Sequence, residues 1–234
     1  VFISIQITGL RPKDGTDFKN QTDGAFFDAG WRAPSIADLF KNLPHYLEQI
    51  PAKERWNLFF TPCVCTANKR EFQSSESIWF DLDGVDLAQE EEYIKAVCSA
   101  LGVARGKTGI VRSGRGLHFY VALTSPLVDA SYFGKTKGQY KAVLEKIGSA
   151  LMQKDLPVKL DPSVWNGRQL MRLPGTRNRK PHKGVPDTDC VLIQGNLEPQ
   201  AFDLGKLSGL GLVDEKEQIG MGKLEPTAAP VLSG

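Results

Sequence analysis

The sequence predicts an α+β fold with a largely antiparallel sheet and flanking helices. Three observations carry this expectation. Short β-branched or apolar runs with strand character recur along the chain. Two of them, "TGIVRS" and "LHFYVAL", flank a tight "GRG" turn, which is a hairpin signature. The amphipathic helical segments fall among such hairpins. A doubly wound parallel sheet would instead need helices that alternate regularly with strands.

"VFISIQI" (1–7) alternates and is β-branched, so it reads as a strand. Residues 8–34 form a polar excursion with a short strand at "GAFFDAG". In "PSIADLFKNLPHYLEQI" the apolar positions Ile36, Leu39, Phe40 and Leu43 have helical spacing. Ser35 is the candidate N-cap, and Pro44 should kink or split the helix. "WNLFFTPCVC" (56–65) reads as one buried strand, followed by a polar loop with Lys69 and Arg70 at its middle. "SIWFDLDG" is the next strand, expected to lie antiparallel beside it. Residues 86–102 form an amphipathic helix with Ile94, Val97, Cys98 and Leu101 on its apolar stripe and Gly102 as its stop. After the hairpin come a second long helix, "SYFGKTKGQYKAVLEKIGSALMQK", a basic segment, a last strand "DCVLIQGN", and a short helix at "PQAFDLGKL". From about residue 212 the chain turns polar and then Ala/Pro/Gly-rich, so 212–234 reads as a linker or tail. The opening at Val1, without Met, suggests a piece of a longer protein.

Composition narrows the function classes. The hydrophobic fraction of 41% supports a sizeable core, and the net charge of +2 announces no polyanion partner by itself. No apolar run approaches the ~20 residues that span a bilayer, and no basic-then-apolar leader precedes the first strand. No membrane partner and a cytoplasmic location are therefore expected. The cysteines, at 63, 65, 98 and 190, form no C-x-x-C pair, and the three histidines are far apart. This spacing argues against zinc and for reduced, partly buried thiols.

Strands deplete Asp, yet "SIWFDLDG" ends with two. Alternation puts Ile78, Phe80 and Leu82 on one face and Trp79, Asp81 and Asp83 on the other. The two carboxylates then share a face, with Cα atoms ~6.5–7 Å apart. Like charges at that spacing need a partner, and two divalent cations would serve. Hard oxygen ligands suit Mg2+ or Mn2+. A solvated strand end running into a D-G turn explains the same residues.

In "VRSGRGLHFYVAL" the glycines let backbone approach a ligand closely, and Arg112, Ser113 and Arg115 add donors. His118 and Tyr120 share a face, so His118 projects beside the turn, as a phosphate ligand would. The nearby "GKT" (106–108) is no P-loop: the position five before Gly106 is Leu101, and a strand follows it. From Pro162 to Pro186 there is no acidic residue, while Arg168, Arg172, Arg177, Arg179, Lys180 and Lys183 fall within this window. One-sided charge of this kind suits a polyanion or a nucleoside triphosphate, although a solvated basic loop would look the same. Arg172 lies in an apolar context, where a buried guanidinium usually has a defined anionic partner. Asp161 precedes the segment.

Three motifs in this order resemble the archaeo-eukaryotic primase superfamily, in particular the primase-polymerase domains of plasmid and phage replication proteins. They are the D-x-D of "IWFDLDG", the "SGRGLHFY" hairpin, and Asp161 followed by "MRLPGTRNRK". The resemblance spans about residues 56–183. It implies an RRM-like catalytic core within a domain over 1–211, with its motifs in 56–196. It implies template-directed nucleotidyl transfer, that is, a DNA primase or primase-polymerase in a bacterial or archaeal host cell. Asp81, Asp83 and Asp161 would hold two Mg2+ or Mn2+ ions. Ser113, Arg115, His118 and Arg172 would bind the triphosphate of an NTP or dNTP. Lys69, Arg70, Arg168, Arg177, Arg179 and Lys180 would contact single-stranded DNA template. A replicative helicase region is an implied partner. Relatives often carry an acid a few residues before R-x-P-G, where this chain has Asn166. A metal-dependent nuclease would share the carboxylates without needing a triphosphate pocket. A non-catalytic single-strand-binding module would need neither.

Overall fold

A computed structural model of the chain describes residues 3–12, 24–50, 55, 57–66, 71–167, 169–179 and 186–209. Lys69, Arg70, Arg168, Lys180 and the expected tail 212–234 lie outside the described residues. The strands are β1 (Ile3–Pro12), β2 (Gly24–Ala33), β3 (Leu58–Phe60), β4 (Val64–Thr66), β5 (Phe72–Asp83), β6 (Thr108–Arg112), β7 (Gly116–Leu127), β8 (Lys159–Leu160), β9 (Met171–Arg172), β10 (Arg177–Asn178), β11 (Thr188–Asp189) and β12 (Val191–Gln194). The helices are α1 (Ile36–Lys41), α2 (Leu43–Glu48), α3 (Glu90–Leu101), α4 (Ser131–Lys135), α5 (Lys137–Met152) and α6 (Leu204–Ser208).

The architecture is the expected α+β one. Every strand pairing is antiparallel, apart from an isolated parallel bridge between Leu123 and Gln200. The main sheet runs β12-β6-β7-β5-β4-β1, with β2 also beside β1, and β3 carries the path on from β1 to β9. The single strand expected over 56–65 is two strands. Both pair with β1, but the register shifts between Ile7↔Phe60 and Ser4↔Cys65. Thr61, Pro62 and Cys63 fall in the break, and Pro62 has no N–H to give a ladder. The break matters for the site. β4 goes on to pair with β5, whereas β3 pairs with β9. The sheet therefore forks, one branch carrying the carboxylates and the other Arg172.

Helices cover both sides. Ser35 caps α1 by accepting a hydrogen bond from the Asp38 N–H at 3.0 Å, and the chain breaks at Asn42 so that Pro44 sits in the first turn of α2. Phe40 of α1 meets Tyr120 of β7 edge-on at 5.4 Å and Phe60 of β3 at 6.0 Å. A Cβ at Gly109 would come within 2.8 Å of the Phe40 ring, so the absence of a side chain on β6 lets α1 seat there. On the other side, Phe80 stacks on Tyr140 of α5 at 5.4 Å, and Tyr140 stacks on Trp165 at 4.8 Å. α3 ends as expected at Gly102, which is left-handed with φ 66°. The second long helix is divided at Thr136, whose buried hydroxyl accepts the Trp165 indole N–H at 3.0 Å.

The strand that raised the question of charge is buried on both faces. Ile78, Trp79, Phe80 and Leu82 are all in the core. Trp79 stands opposite Tyr120 in the β5–β7 register, and its indole N–H donates to the Val164 carbonyl at 2.9 Å. Burial ends only at the carboxylates: Asp81 is half-buried and Asp83 exposed. Among the described residues, no helix is long and apolar enough to cross a membrane. All four cysteines are buried, and among the described residues none is in a disulfide. Cys63 and Cys65 lie with their sulfurs 3.5 Å apart.

Candidate active site

The β5–β7 register places Asp81 opposite His118 and Asp83 opposite Gly116. One residue beyond Asp83, Gly84 turns with φ 74°, and the N–H groups of Gly84 and Val85 both donate to the Arg115 carbonyl at 3.1 Å. The D-G turn and the paired carboxylates are therefore one feature. The turn pins the end of β5 to the hairpin, which leaves both carboxylates beside it. In the hairpin, the Ser113 N–H donates to the Gly116 carbonyl at 2.9 Å. Gly116 lies so close to β5 that a Cβ would stand 2.3 Å from the Leu82 carbonyl oxygen. Gly114 has φ 114°, and a Cβ there would meet the Thr188 hydroxyl at 2.4 Å. Both glycines are thus required by close approach, here to β5 and to the Thr188 and Asn178 side chains, where the sequence alone suggests a ligand.

A cleft of about 200 Å³ opens where the sheet forks. From β5 and the hairpin it receives Asp81, Asp83, Ser113, Arg115 and His118. From β3 and β9 it receives Phe59, Met171 and Arg172, and from β10 and β11 it receives Asn178 and Thr188. Six of the residues singled out from sequence thus converge on one cleft: Asp81, Asp83, Ser113, Arg115, His118 and Arg172.

The electrostatics of the cleft follow from burial. His118 is fully enclosed, and its pKa is pushed down to about 3, chiefly by loss of water and secondarily by the Arg172 charge. Its Nε2 is 3.4 Å from Asp81 Oδ1, but at neutral pH the ring is uncharged, so this contact is no ion pair. The Tyr120 hydroxyl lies 3.3 Å from Nδ1, and burial holds that phenol protonated well above its usual range. A hydroxyl donating to Nδ1 leaves the proton on Nε2, which faces the cleft. Arg172 is buried too. Desolvation lowers its pKa to about 10, against the opposing pull of Cys190, Asp81 and Asp83, so it stays cationic at pH 7. Its guanidinium lies 4.9 Å above the centre of the Phe59 ring and donates to Asn57 Oδ1 at 3.3 Å. Neither of these is an anion, so packing and a neutral amide are what hold the guanidinium in place.

The other expected residues lie elsewhere. Asp161 does not line the cleft. It follows β8, whose Leu160 stands opposite Leu82, and its carboxylate accepts the Ser163 N–H at 2.8 Å, capping a short 3-10 turn. Asn166 donates to the Ser163 carbonyl and to Gln169. Arg112 reaches away from the hairpin to Glu90 of α3 at 3.5 Å. Arg177 and Arg179 stand on and beside β10, where they meet Asp189 at 3.3 Å and Asp187 at 3.7 Å. Two cations of the acid-free run therefore meet the first acids that follow it. Among the described residues, no group of three or more His, Cys, Asp or Glu could hold a metal ion. The carboxylate pair alone fits a hard divalent cation that completes its shell with substrate phosphates and water, as Mg2+ commonly does.

Sequence reasoning did not single out Phe59, Asn57, Asn178 and Thr188. Asn57 has φ 49°. Its side chain accepts from Arg172 and from the Arg179 N–H at 2.9 Å, and donates to the Arg179 carbonyl at 2.9 Å. It thereby ties the entry of β3 to the exit of β10. Only Asn178 had a signal, since it belongs to the "RLPGTRN" motif.

The chain matches no protein-family model and no curated protein. Among solved structures it is similar to the AEP domain of the primase-polymerase of cyanophage S-2L, with 16% identity and a TM-score of 0.46 over 87% of this chain and 86% of that one. It is similar to primase RepB′, with 16% identity and a TM-score of 0.47 over 93% of this chain, but it spans only 58% of that one. It is also similar to the polymerase domain of Mycobacterium tuberculosis ligase D in complex with DNA, with 21% identity and a TM-score of 0.44 over 94% and 86%.

Proposed function

We propose that the cleft binds a nucleoside triphosphate, NTP or dNTP, and that the chain is a template-directed nucleotidyltransferase, a DNA primase or primase-polymerase acting on single-stranded DNA. The observation that carries this reading is the division of one small cleft into two chemistries. Asp81 and Asp83 supply only acceptors, whereas Arg172, Arg115, Ser113 and the neutral His118 supply donors and positive charge. A triphosphate with divalent cations needs both, side by side. A nuclease would share the carboxylates without needing a pocket for a triphosphate.

Each residue then has a task set by its surroundings. Arg172, prevented from turning by Phe59 and Asn57, meets phosphate oxygens with a preorganised charge. His118 offers Nε2–H as a neutral donor, so it binds phosphate without repelling Arg172. Ser113 and Arg115 come from a turn that close packing fixes against β5. Asp81 and Asp83 would hold the divalent ions, Mg2+ or Mn2+. When bound, these ions would lower the pKa of an attacking 3′-hydroxyl and stabilise the pyrophosphate leaving group. Asp161 adjoins Asp81 through the β5–β8 pairing and joins that pair if its capping bond is released. Arg177 and Arg179 exchange exposed aspartate partners for template phosphates at little cost, since surface ion pairs contribute little. Lys69, Arg70, Arg168 and Lys180, outside the described residues, would also contact template. A helicase region would supply the single strand.

The test is synthesis from labelled NTP or dNTP on a single-stranded template, in Mg2+ and in Mn2+, without and with a primer. Asp81→Ala should lower incorporation by more than about a hundredfold while single-strand binding persists. Strand cleavage without nucleotide would replace this reading by a nuclease. Full incorporation in Asp81→Ala would remove the carboxylate pair from the chemistry.

A further inference from the structure

One polar group in the cleft is matched by neither phosphate nor metal. Asn178 is nine-tenths buried and lines the cleft. Its Nδ2 donates to the Ser113 carbonyl at 3.0 Å, which fixes which end of the amide is oxygen. Its Oδ1 is buried and has no hydrogen-bond partner among the described residues. The amide is also held in place. Asn178 stands opposite Thr188 in the β10–β11 pair, and a Cβ on Gly114 would lie 2.9 Å from Asn178 Nδ2, so the hairpin turn packs directly against it. A buried carbonyl left unpaired in this way costs stability. In a cleft, a ligand that brings a donor removes that cost.

The ligand's chemistry then narrows. The phosphates of an ionised triphosphate have only acceptors. Its donors are the hydroxyls of the sugar and the amino or imino groups of the base. A rigid acceptor aimed at the base would select one base, which conflicts with a template making that choice. The sugar hydroxyl is the donor common to every nucleotide.

We propose that Asn178 is the sugar-reading residue of this cleft, its Oδ1 accepting a hydrogen bond from a ribose hydroxyl of the bound nucleotide. The inference rests on the nucleotide reading given above.

Calorimetric binding of ATP, dATP and 2′,3′-dideoxy-ATP to the whole chain in Mg2+ tests it. Wild type should bind the dideoxy compound about tenfold more weakly than the best of the other two, the loss of one hydrogen bond to a fixed partner. A step between dATP and dideoxy-ATP assigns the 3′-hydroxyl, and a step between ATP and dATP the 2′-hydroxyl. Asn178→Ala should lower affinity for the preferred nucleotide to the dideoxy level and leave dideoxy-ATP binding unchanged. Equal binding of all three by wild type, a measurement that needs no variant, would overturn the proposal. So would selectivity that survives in Asn178→Ala, or a variant that changes preference among the four bases instead. Wild type that binds none of the three would overturn the nucleotide reading itself. Intact binding without sugar selectivity removes only Asn178's role.

Discussion

At the scale of single residues, the cleft works because two groups keep charge states that burial would not predict for both. Arg172 loses water and remains a cation, whereas His118 loses water and gives up its proton. Loss of water lowers both, and the outcome differs because imidazole is by far the weaker base; the Arg172 charge adds to the effect on His118 only secondarily. This has a cost at acid pH. The folded-state pKa of His118 is about 3, against about 6.5 in an unfolded chain, so the unfolded chain binds the extra proton first. The stability linked to neutral His118 is therefore complete above about pH 6.5 and declines as pH falls towards 3, at up to about 1.4 kcal/mol per pH unit. Urea unfolding at several pH values should show this acid slope in wild type and a shallower one in His118→Gln. An identical slope in both would mean that His118 is not enclosed as described.

At the scale of elements, the site depends on how closely the hairpin lies against β5. Gly116 is the tightest point, since a Cβ there would stand 2.3 Å from a backbone oxygen of Leu82, which cannot swing aside as a side chain would. Gly116→Ala must therefore push β7 away from β5 at the pair that faces Asp83. Overpacking of this kind costs about 1–3 kcal/mol, which in a chain of this size lowers Tm by roughly 3–10 °C. Nucleotide binding should weaken as well, because the same shift moves Ser113 and Arg115. Gly138 is the control: a Cβ there meets nothing within 4 Å, so Gly138→Ala on α5 should leave Tm unchanged or raise it. A Gly116→Ala protein with wild-type Tm would show that the strands are not in this register.

At the scale of the whole molecule, the cleft joins segments remote in sequence. Phe59, the two aspartates, the hairpin and residues of β9, β10 and β11 meet there, so ligand binding should stabilise the entire fold. Nucleotide and Mg2+ together should raise Tm more than the sum of either alone, because acceptors and donors in the cleft are complementary to the combination. An excess near 100 times Kd corresponds to about 2.7 kcal/mol. Asp81→Asn combined with Asp83→Asn should abolish the metal-dependent part and keep some response to nucleotide alone through Arg172. Additive shifts in wild type would separate the two halves of the cleft.

The sequence by itself determined the class of fold and most of the side chains that meet in the cleft. Strand periodicity, glycine turns and caps at Ser35 and Gly102 act within a few residues, so local propensity is enough to reveal them. The same is true of Asp81 and Asp83, whose shared face follows from the two-residue repeat of any strand, and of His118 beside its turn. Only the tertiary structure decided the rest. The break at Thr61–Cys63, which splits the sheet and makes room for a cleft, depends on where β5 and β9 pair. Arg112 and Arg172 look alike in sequence, yet one meets Glu90 on a helix and the other enters the cleft. Asp161 was legible as an acid at a strand end, but its use as a cap depends on the backbone turn that follows it. Asn57 and Asn178 had no charge or periodicity to mark them. Their significance lies in which backbone groups they tie together, and contacts across 115 and 65 residues exist only once the chain has folded.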